Sequence, residues 1–424
     1  MKQYEKYKDS GIEWIGEIPE HWEVKKLKYE ALIQPSNVDK KSNKDEKEVL
    51  LCNYMDVYKN EFIDLSINFM EATATEDEIR KFKIFKGDVL VTKDSETPDD
   101  IANPALVKDN IKNVICAYHL TQIRPTRKKL LGEYLFRLFQ EHKFNGQFQV
   151  NANGVTRFGL SISSFFNAYI PLPTLHEQTA IAKYLDEKTA QIDKLISHKQ
   201  KLIDLLREER TAIINQAVTK GIDPNIKLKP SGIEWLGEIP EHWEVKKLKY
   251  IMNSFDLQRV PISADRRNGD KIYDYYGASG VIDKVDDYLF DGEYILIGED
   301  GANLLTRSTP LAFKATGKFW VNNHAHILKP KSGNLDFYTH LLESLDYTIW
   351  VTGSAQPKLT AENILNITIC EPPINIQDQI TAYISIESRK IDNTIAKIEK
   401  EIALLQEYRT ALISEVVTGK IKVV

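Results

Sequence analysis

Two long stretches of this chain carry apolar residues at spacings that alternate between four and three. From Ile181 the apolar places are Ile181, Leu185, Ile192, Leu195, Leu202, Leu206 and Ile213, interrupted by Lys188, Lys199 and Glu209. The second run holds Ile380, Ile384, Ile391, Ile398, Leu405, Tyr408 and Leu412, interrupted by Glu387, Thr394 and Glu401. A stripe this narrow predicts long helices with a coiled-coil seam rather than the broad buried face of a globular helix. Both runs are punctuated. Pro171 and Pro173 precede the first, Thr174 with Glu177 makes a capping box, and Gly221 with Pro224 closes it. Pro372 and Pro373 precede the second, Asn375 is the expected cap, and Gly419 stands near its end. Helices of about 40 residues span about 60 Å at 1.5 Å per residue, which makes each a spacer.

Between these runs, residues 30–170 and 251–370 read as mixed strand and helix. Phe85–Thr92 and Phe290–Ile297 each look like a turn followed by an apolar strand, and His119–Pro125 and His324–Pro330 like a second matching strand. The likeness is part of a larger repeat. Residues 10–29, SGIEWIGEIPEHWEVKKLKY, return at 231–250 with only Ile15 replaced, by Leu236. Downstream, Gln178–Tyr184 matches Gln377–Tyr383, and Arg210–Ala212 matches Arg409–Ala411. The chain is therefore one unit used twice, with a constant opening, a variable middle and a constant close, the first copy being longer by about 22 residues. Two similar α+β units with diverged middles suggest two different ligands of one class.

Composition narrows this picture. With 424 residues the prior is two to three domains, and 42% hydrophobic with 28% charged residues supports folded cores. No stretch reaches the ~18 uninterrupted apolar residues of a membrane span, and the opening MKQYEKYKDSG lacks the apolar segment of a secretory signal. A cytoplasmic protein with no membrane partner is expected. Cys52, Cys116 and Cys370 fit neither a disulfide framework nor a zinc cluster and are expected as buried thiols. The net charge of −5 argues mildly against nucleic-acid binding.

No catalytic constellation emerges, and no metal site. A phosphate-binding loop is absent: Gly317-Lys318 and Gly419-Lys420 lack both the upstream glycine and the following hydroxyl residue. Glu371-Pro-Pro-Ile374 lacks the Asn and the aromatic of an amino-methyltransferase signature. Asp88 with Lys93 approaches a nuclease motif but has Val91 where the second carboxylate belongs, and Gly298 is expected opposite Lys93 in the second copy. His324 and His326 form a strand pair without a third ligand.

Binding remains. Residues 302–335 contain Arg307, Lys314, Lys318, Lys329 and Lys331 and no acidic residue, with Asn322, Asn323 and His324 among them. In the first copy Arg124, Arg127, Lys128 and Lys129 cluster after the matching strand. Such side chains neutralise phosphates and read base edges.

The doubled opening SGIEWIGEIPEHWEVKKL and SGIEWLGEIPEHWEVKKL, the close P-L-P-x-x-x-E-Q-x-x-I-A-x-x-L-D from Pro171 to Asp186, and Gly353-Ser-Ala-Gln-Pro-Lys-Leu359 resemble the specificity subunit of type I restriction-modification systems. The resemblance covers nearly the whole chain. It implies a non-catalytic subunit with a target-recognition domain at 1–173, a conserved helix at 174–221, a second recognition domain at 222–372 and a second helix at 373–424. The helices would run antiparallel, with Ile181, Leu185, Ile192, Leu202, Leu206, Ile380, Ile384, Ile391, Ile398 and Leu405 as spacer and subunit-interface residues. Each domain would read one half of a bipartite site in double-stranded DNA. Two methyltransferase subunits would supply S-adenosylmethionine chemistry, and restriction subunits would use ATP and Mg; this chain would hold no cofactor. Gln356 and Lys358 are carried over as DNA contacts, with Arg157 and Gly159 as counterparts; Lys93 joins them. Trp14, Trp22, Trp235 and Trp243 are expected to pack the junctions. The second helix start, Ile376-Gln-Asp-Gln379, lacks the Glu-Gln of the first. Other classes predict otherwise: a fused nuclease or adenine methyltransferase would bind metal or S-adenosylmethionine, and a coiled-coil adaptor would read no DNA.

Overall fold

In the computed structural model, which describes residues 2–126, 128–234, 236–262, 272–353 and 356–423, both heptad runs are continuous helices, Leu175–Lys220 and Ile374–Val417. Arg127, Trp235 and Ser354 lie outside the described residues. The fold is α+β. Its contacts divide the chain into two units, one of residues 1–199 with 400–424 and one of residues 200–399, so each unit owns half of each long helix. No helix among the described residues is long and apolar enough to cross a membrane.

The two units share one sheet topology. In the first, the strands run Ala31–Pro35, Leu120–Pro125, Val89–Thr92, Pro104–Val107 and Phe62–Ile63 across the sheet. In the second, Met252–Ser254, Ala325–Pro330, Phe290–Gly298, Ala312–Val321 and Tyr273–Gly277 follow in the same order, with Gly280–Val285 added at the edge. In each sheet the first four are antiparallel and the fifth is parallel to its neighbour. The duplication read from the constant segments thus extends through the diverged middles. The first unit adds a three-stranded sheet of Lys47–Cys52, Met70–Ala74 and Val114–Cys116 with its own core around Leu51, Phe82 and Val114. Cys52, Cys116 and Cys370 are buried free thiols.

Packing explains the constant segments. Trp22 and Trp243 are fully buried where each sheet meets its helices, and Trp14 is partly buried against Phe144. Trp22 Nε1 donates to Glu177 Oε1 at 3.1 Å, and His21 Nε2 lies 2.9 Å from the same oxygen. The capping box forms as expected, with Thr174 and Glu177 bonded reciprocally. Burial alone would raise the Glu177 carboxyl, but the bonds from His21, Trp22 and Thr174 outweigh it and bring it down to about 2. In the second unit Ile376 stands at that place, and the buried Trp243 Nε1 has no partner. The next residue is used alike in both: Gln178 Oε1 accepts from Leu131 N at 2.8 Å and Gln377 Oε1 from Asn334 N at 2.8 Å. Asn375 is not the second cap. It lies inside the helix, and the amides of Ile376 and Gln377 both donate to the Pro373 carbonyl.

Within each unit the long helices are antiparallel. Lys199 pairs with Glu401 and Asp193 with Arg409 in the first unit; Arg207 pairs with Glu399 and Arg210 with Asp392 in the second. The seam differs from the sequence-derived one at every second position. Leu202 is 45% exposed whereas Ile203 is 1% exposed, and the buried or half-buried line runs Leu185, Thr189, Ile192, Ile196, Lys199, Ile203, Leu206. The second helix does the same through Ile384, Ser388, Ile391, Ile395, Ile398, Ile402 and Leu405. Ile181, Leu185, Ile192, Ile380, Ile384, Ile391 and Ile398 are buried, while Leu195, Leu202 and Leu205 face outward. The heptad was legible; its phase was displaced one residue at alternate positions, in the first helix by the exposed Leu195 and Leu202, because the polar Thr189 and Ser388 occupy seam positions that apolar counting skips.

Candidate nucleic-acid interface

Each sheet ends in the same construction. Leu120 stands opposite Thr92 in the first unit, and Ala325 opposite Gly298 in the second. The next residue on the strand therefore corresponds as Lys93 with Glu299, one position later than sequence matching implied, and Gly298 is the counterpart of Thr92. The backbone agrees: Lys93 N donates to His119 O at 3.0 Å and Glu299 N to His324 O at 2.8 Å, while the carbonyls of Lys93 and Glu299 accept from Leu160 N and Leu359 N at 2.7 and 2.8 Å.

Those last two bonds tie down a loop that enters the long helix region in each unit. Asn153 and Gly159 exchange backbone bonds of 3.1 and 2.9 Å; Thr352 and Lys358 exchange two of 2.8 Å. Inside each closed loop a glycine is obligatory, because a Cβ at Gly154 would lie 1.9 Å from the Arg157 carbonyl oxygen and one at Gly353 2.6 Å from that of Gln356. The loops present different side chains: Val155, Thr156 and Arg157 are exposed in the first, Gln356 and Lys358 in the second.

A histidine–aspartate pair recurs beside each loop. His119 Nδ1 lies 2.7 Å from Asp94 Oδ2, and Arg157 Nη2 donates to Asp94 Oδ1 at 2.7 Å. His324 Nδ1 lies 2.8 Å from Asp300 Oδ2, and Lys358 Nζ lies 3.2 Å from Glu299 Oε1. Glu299 also receives Arg259 Nη1 at 2.5 Å, and these cations hold its carboxyl below the usual range against the opposing effect of burial. In the first unit a cleft of about 450 Å³ lies alongside, lined by Tyr54, Tyr58, Asp94, Asp100, Thr156 and Arg157.

The structure thus gathers Arg157 with His119 in one unit, and His324, Gln356 and Lys358 in the other, at equivalent places. Asn322 is buried and its Oδ1 accepts from His324 N at 2.8 Å, so it shapes the approach to the site; Asn323 is exposed beside it. Lys128, Lys129 and Lys318 are exposed, Lys318 with its ammonium 4.4 Å from the Tyr288 ring centroid. Four other expected contacts have their head groups bonded within the protein. Arg124 Nε and Nη2 donate to the buried Asp88 carboxylate at 2.9 and 2.7 Å. Arg307 donates to the Leu345 carbonyl at 2.8 Å and to Glu343 Oε1 at 3.0 Å. Lys314 lies 3.0 Å from both Glu293 and Asp336. Lys93 Nζ donates to Ser36 O at 2.7 Å under the Tyr118 ring, and burial pushes its ammonium below the ordinary lysine range. Arg124, Arg307 and Lys314 meet carboxylates, as the more exposed Arg157 and Lys358 also do, and Lys93 meets a carbonyl and a ring. Sequence reasoning passed over Asp94, Asp300, Glu299 and Arg259; the one available signal was an acidic residue just past the strand in both copies.

A family model described as the type I restriction modification DNA specificity domain matches residues 19–205 and again 240–404, once on each copy of the repeat. The chain belongs to this family. A specificity subunit of the type I restriction enzyme MjaIX of Methanocaldococcus jannaschii is 24% identical, with 96% of this chain and 95% of the relative covered. Among solved structures, the specificity subunit of Thermoanaerobacter tengcongensis shares the fold at a TM-score of 0.53 and 16% identity, covering 95% of this chain and 98% of that one. A chain from a structure of type I restriction-modification complex assembly reaches a TM-score of 0.64 at 16% identity, covering 94% and 98%. A specificity subunit has a non-catalytic role in a type I restriction-modification system, and a DNA specificity domain falls on each copy of the repeat.

Proposed function

We propose that this specificity subunit recognises an asymmetric, bipartite site in double-stranded DNA, one half-site per recognition domain, and scaffolds two methyltransferase subunits and the restriction subunits around it. The observation that carries the reading is the repeated strand-end platform and glycine-closed loop, the same in construction and different in side chains, Arg157 in one copy and Gln356 with Lys358 in the other. Arg suits the paired acceptors of guanine, and Gln the acceptor and donor of adenine. Unlike loops on one scaffold read unlike half-sites. Leu195, Leu202, Leu205, Ile386 and Leu404 on the outer faces of the long helices, all exposed, support partner docking there. S-adenosylmethionine, ATP and Mg belong to the partners, and the complex works in the cytoplasm.

Methylome sequencing of cells with and without the gene tests this. A split, asymmetric methyl-adenine motif should vanish with the gene, and an unchanged methylome would sink the proposal. Arg157→Ala should relax or abolish one half of that motif and Gln356→Ala the other, each mutation costing about 1–3 kcal/mol of discrimination at its own position.

A further inference from the structure

The second recognition domain contains a buried histidine with no equivalent in the first. His326, on the strand Ala325–Pro330, is 1% exposed. Its Nε2 lies 2.7 Å from the Leu359 carbonyl oxygen, and its Nδ1 lies 2.5 Å from Asp256 Oδ2. A carbonyl oxygen can only accept, so Nε2 must carry a proton. The Asp256 carboxylate also accepts: its other oxygen receives the Ile327 amide at 2.8 Å. Burial alone would raise the Asp256 carboxyl, but the bonds from His326 and Ile327 and the Arg259 charge hold it below the usual range. Two acceptors on two ring nitrogens require two ring protons, hence an imidazolium.

Leu359 is the residue that closes the 352–358 loop onto the sheet. Its amide donates to Glu299 O and its carbonyl is the one His326 holds; Gly301 N holds Pro357 O at 3.1 Å just before it. The charged groups set against His326 are Asp256 at 2.5 Å and Glu299 at 3.9 Å, with Arg259 and Lys358 paired to Glu299 behind them. At the matching strand position the first unit has Thr121, fully buried, its Oγ1 without a partner. The first loop has no histidine clasp at that place.

We infer that His326 is a positioning residue for the second half-site: its imidazolium clasps the Gln356- and Lys358-bearing loop through Leu359, so that reading of the second half-site, and not of the first, weakens as pH rises. This rests on the reading that the loop meets DNA. Losing a proton leaves a ring lone pair facing either the Asp256 carboxylate or the Leu359 oxygen, and the clasp opens.

The test is hydrogen exchange of the full-length chain without DNA, corrected for intrinsic rates, at about pH 6 and about pH 9. Protection of the Lys358 and Leu359 amides should fall at least about ten-fold more at the higher pH in the wild type, protection of Gly159 and Leu160 should not change with pH, and His326→Gln should abolish the pH response. Equal protection at both pH values, or a response that persists in His326→Gln, overturns the inference. If that variant does not fold, imidazole ¹⁵N shifts of the wild type decide: two protonated nitrogens on His326 near pH 6 support the clasp, and one refutes it. Because no DNA is present, a chain that reads no DNA would still show the exchange response, so the two failures are distinguishable. With motif DNA and the assembled complex, affinity should fall with pH in the wild type and stay flat in His326→Gln; a parallel fall in both overturns the link to recognition.

Discussion

Glu177 shows how a residue of the repeated close can serve the fold in one copy alone. Its folded carboxyl sits at about 2, below the ordinary value of 4.5, so the stabilisation is fully present above about pH 4.5 and is lost as pH falls toward 2. At full strength it is worth up to about 3 kcal/mol. Denaturation of Glu177→Gln and wild type should therefore differ at pH 6 by about 1–3 kcal/mol, by roughly half of that at about pH 3, and converge only as pH falls through about 2. The second copy offers the reverse experiment. Ile376→Gln would supply the acceptor Trp243 lacks and should raise the melting temperature; a lowered one would show that the apolar contact of Ile376 outweighs the orphaned indole. Arg124 argues the same way from the other side. Arg124→Met strands the buried Asp88 and should cost about 2–4 kcal/mol in chemical denaturation while leaving the methylation motif unchanged. Residue type and position alone could not separate such a cation from one that meets phosphate. The distinction lies in exposure once the chain has folded: the Arg124 side chain is 30% exposed against a buried carboxylate, that of Arg157 is 58% exposed.

The long helices were the most legible elements, because a heptad sustained from Ile181 to Ile213 and from Ile380 to Leu412 leaves a periodicity that no loop imitates. Their ends were read from proline and glycine, and only the Asn375 cap failed, since the Pro373 carbonyl takes the first amides instead. The seam phase is a sharper test of the structure. Ile203→Ala should cost about 2–5 kcal/mol, and Leu202→Ala should stay within about 0.5 kcal/mol, measured by urea denaturation. Equal costs would restore the sequence-derived phase. The strands were legible in type but not in register. Lys93 and Glu299 share no chemistry that would align them, and only the ladder partners Thr92 with Leu120 and Gly298 with Ala325 fix the correspondence.

For the molecule as a whole, duplication was visible from twenty nearly identical residues, and the net charge of −5 was a poor guide to function. The cations at the two strand-end sites are matched by local carboxylates, so neither the overall sum nor a basic run in sequence reports what faces a ligand. That matching constrains how such a molecule can acquire a new target. Glu299 is held by Arg259 and Lys358, which come from stretches of the second middle well separated in sequence. Replacing it with the lysine of the other copy would set a third cation beside Arg259 and Lys358 and leave only Asp256, 3.8 Å from Arg259, to answer them, so one substitution at a time passes through damaged intermediates. Transfer of an entire middle, bordered by near-identical openings, moves every member of the network together. Inheritance of new specificities in blocks is what the electrostatics of this one strand end favours.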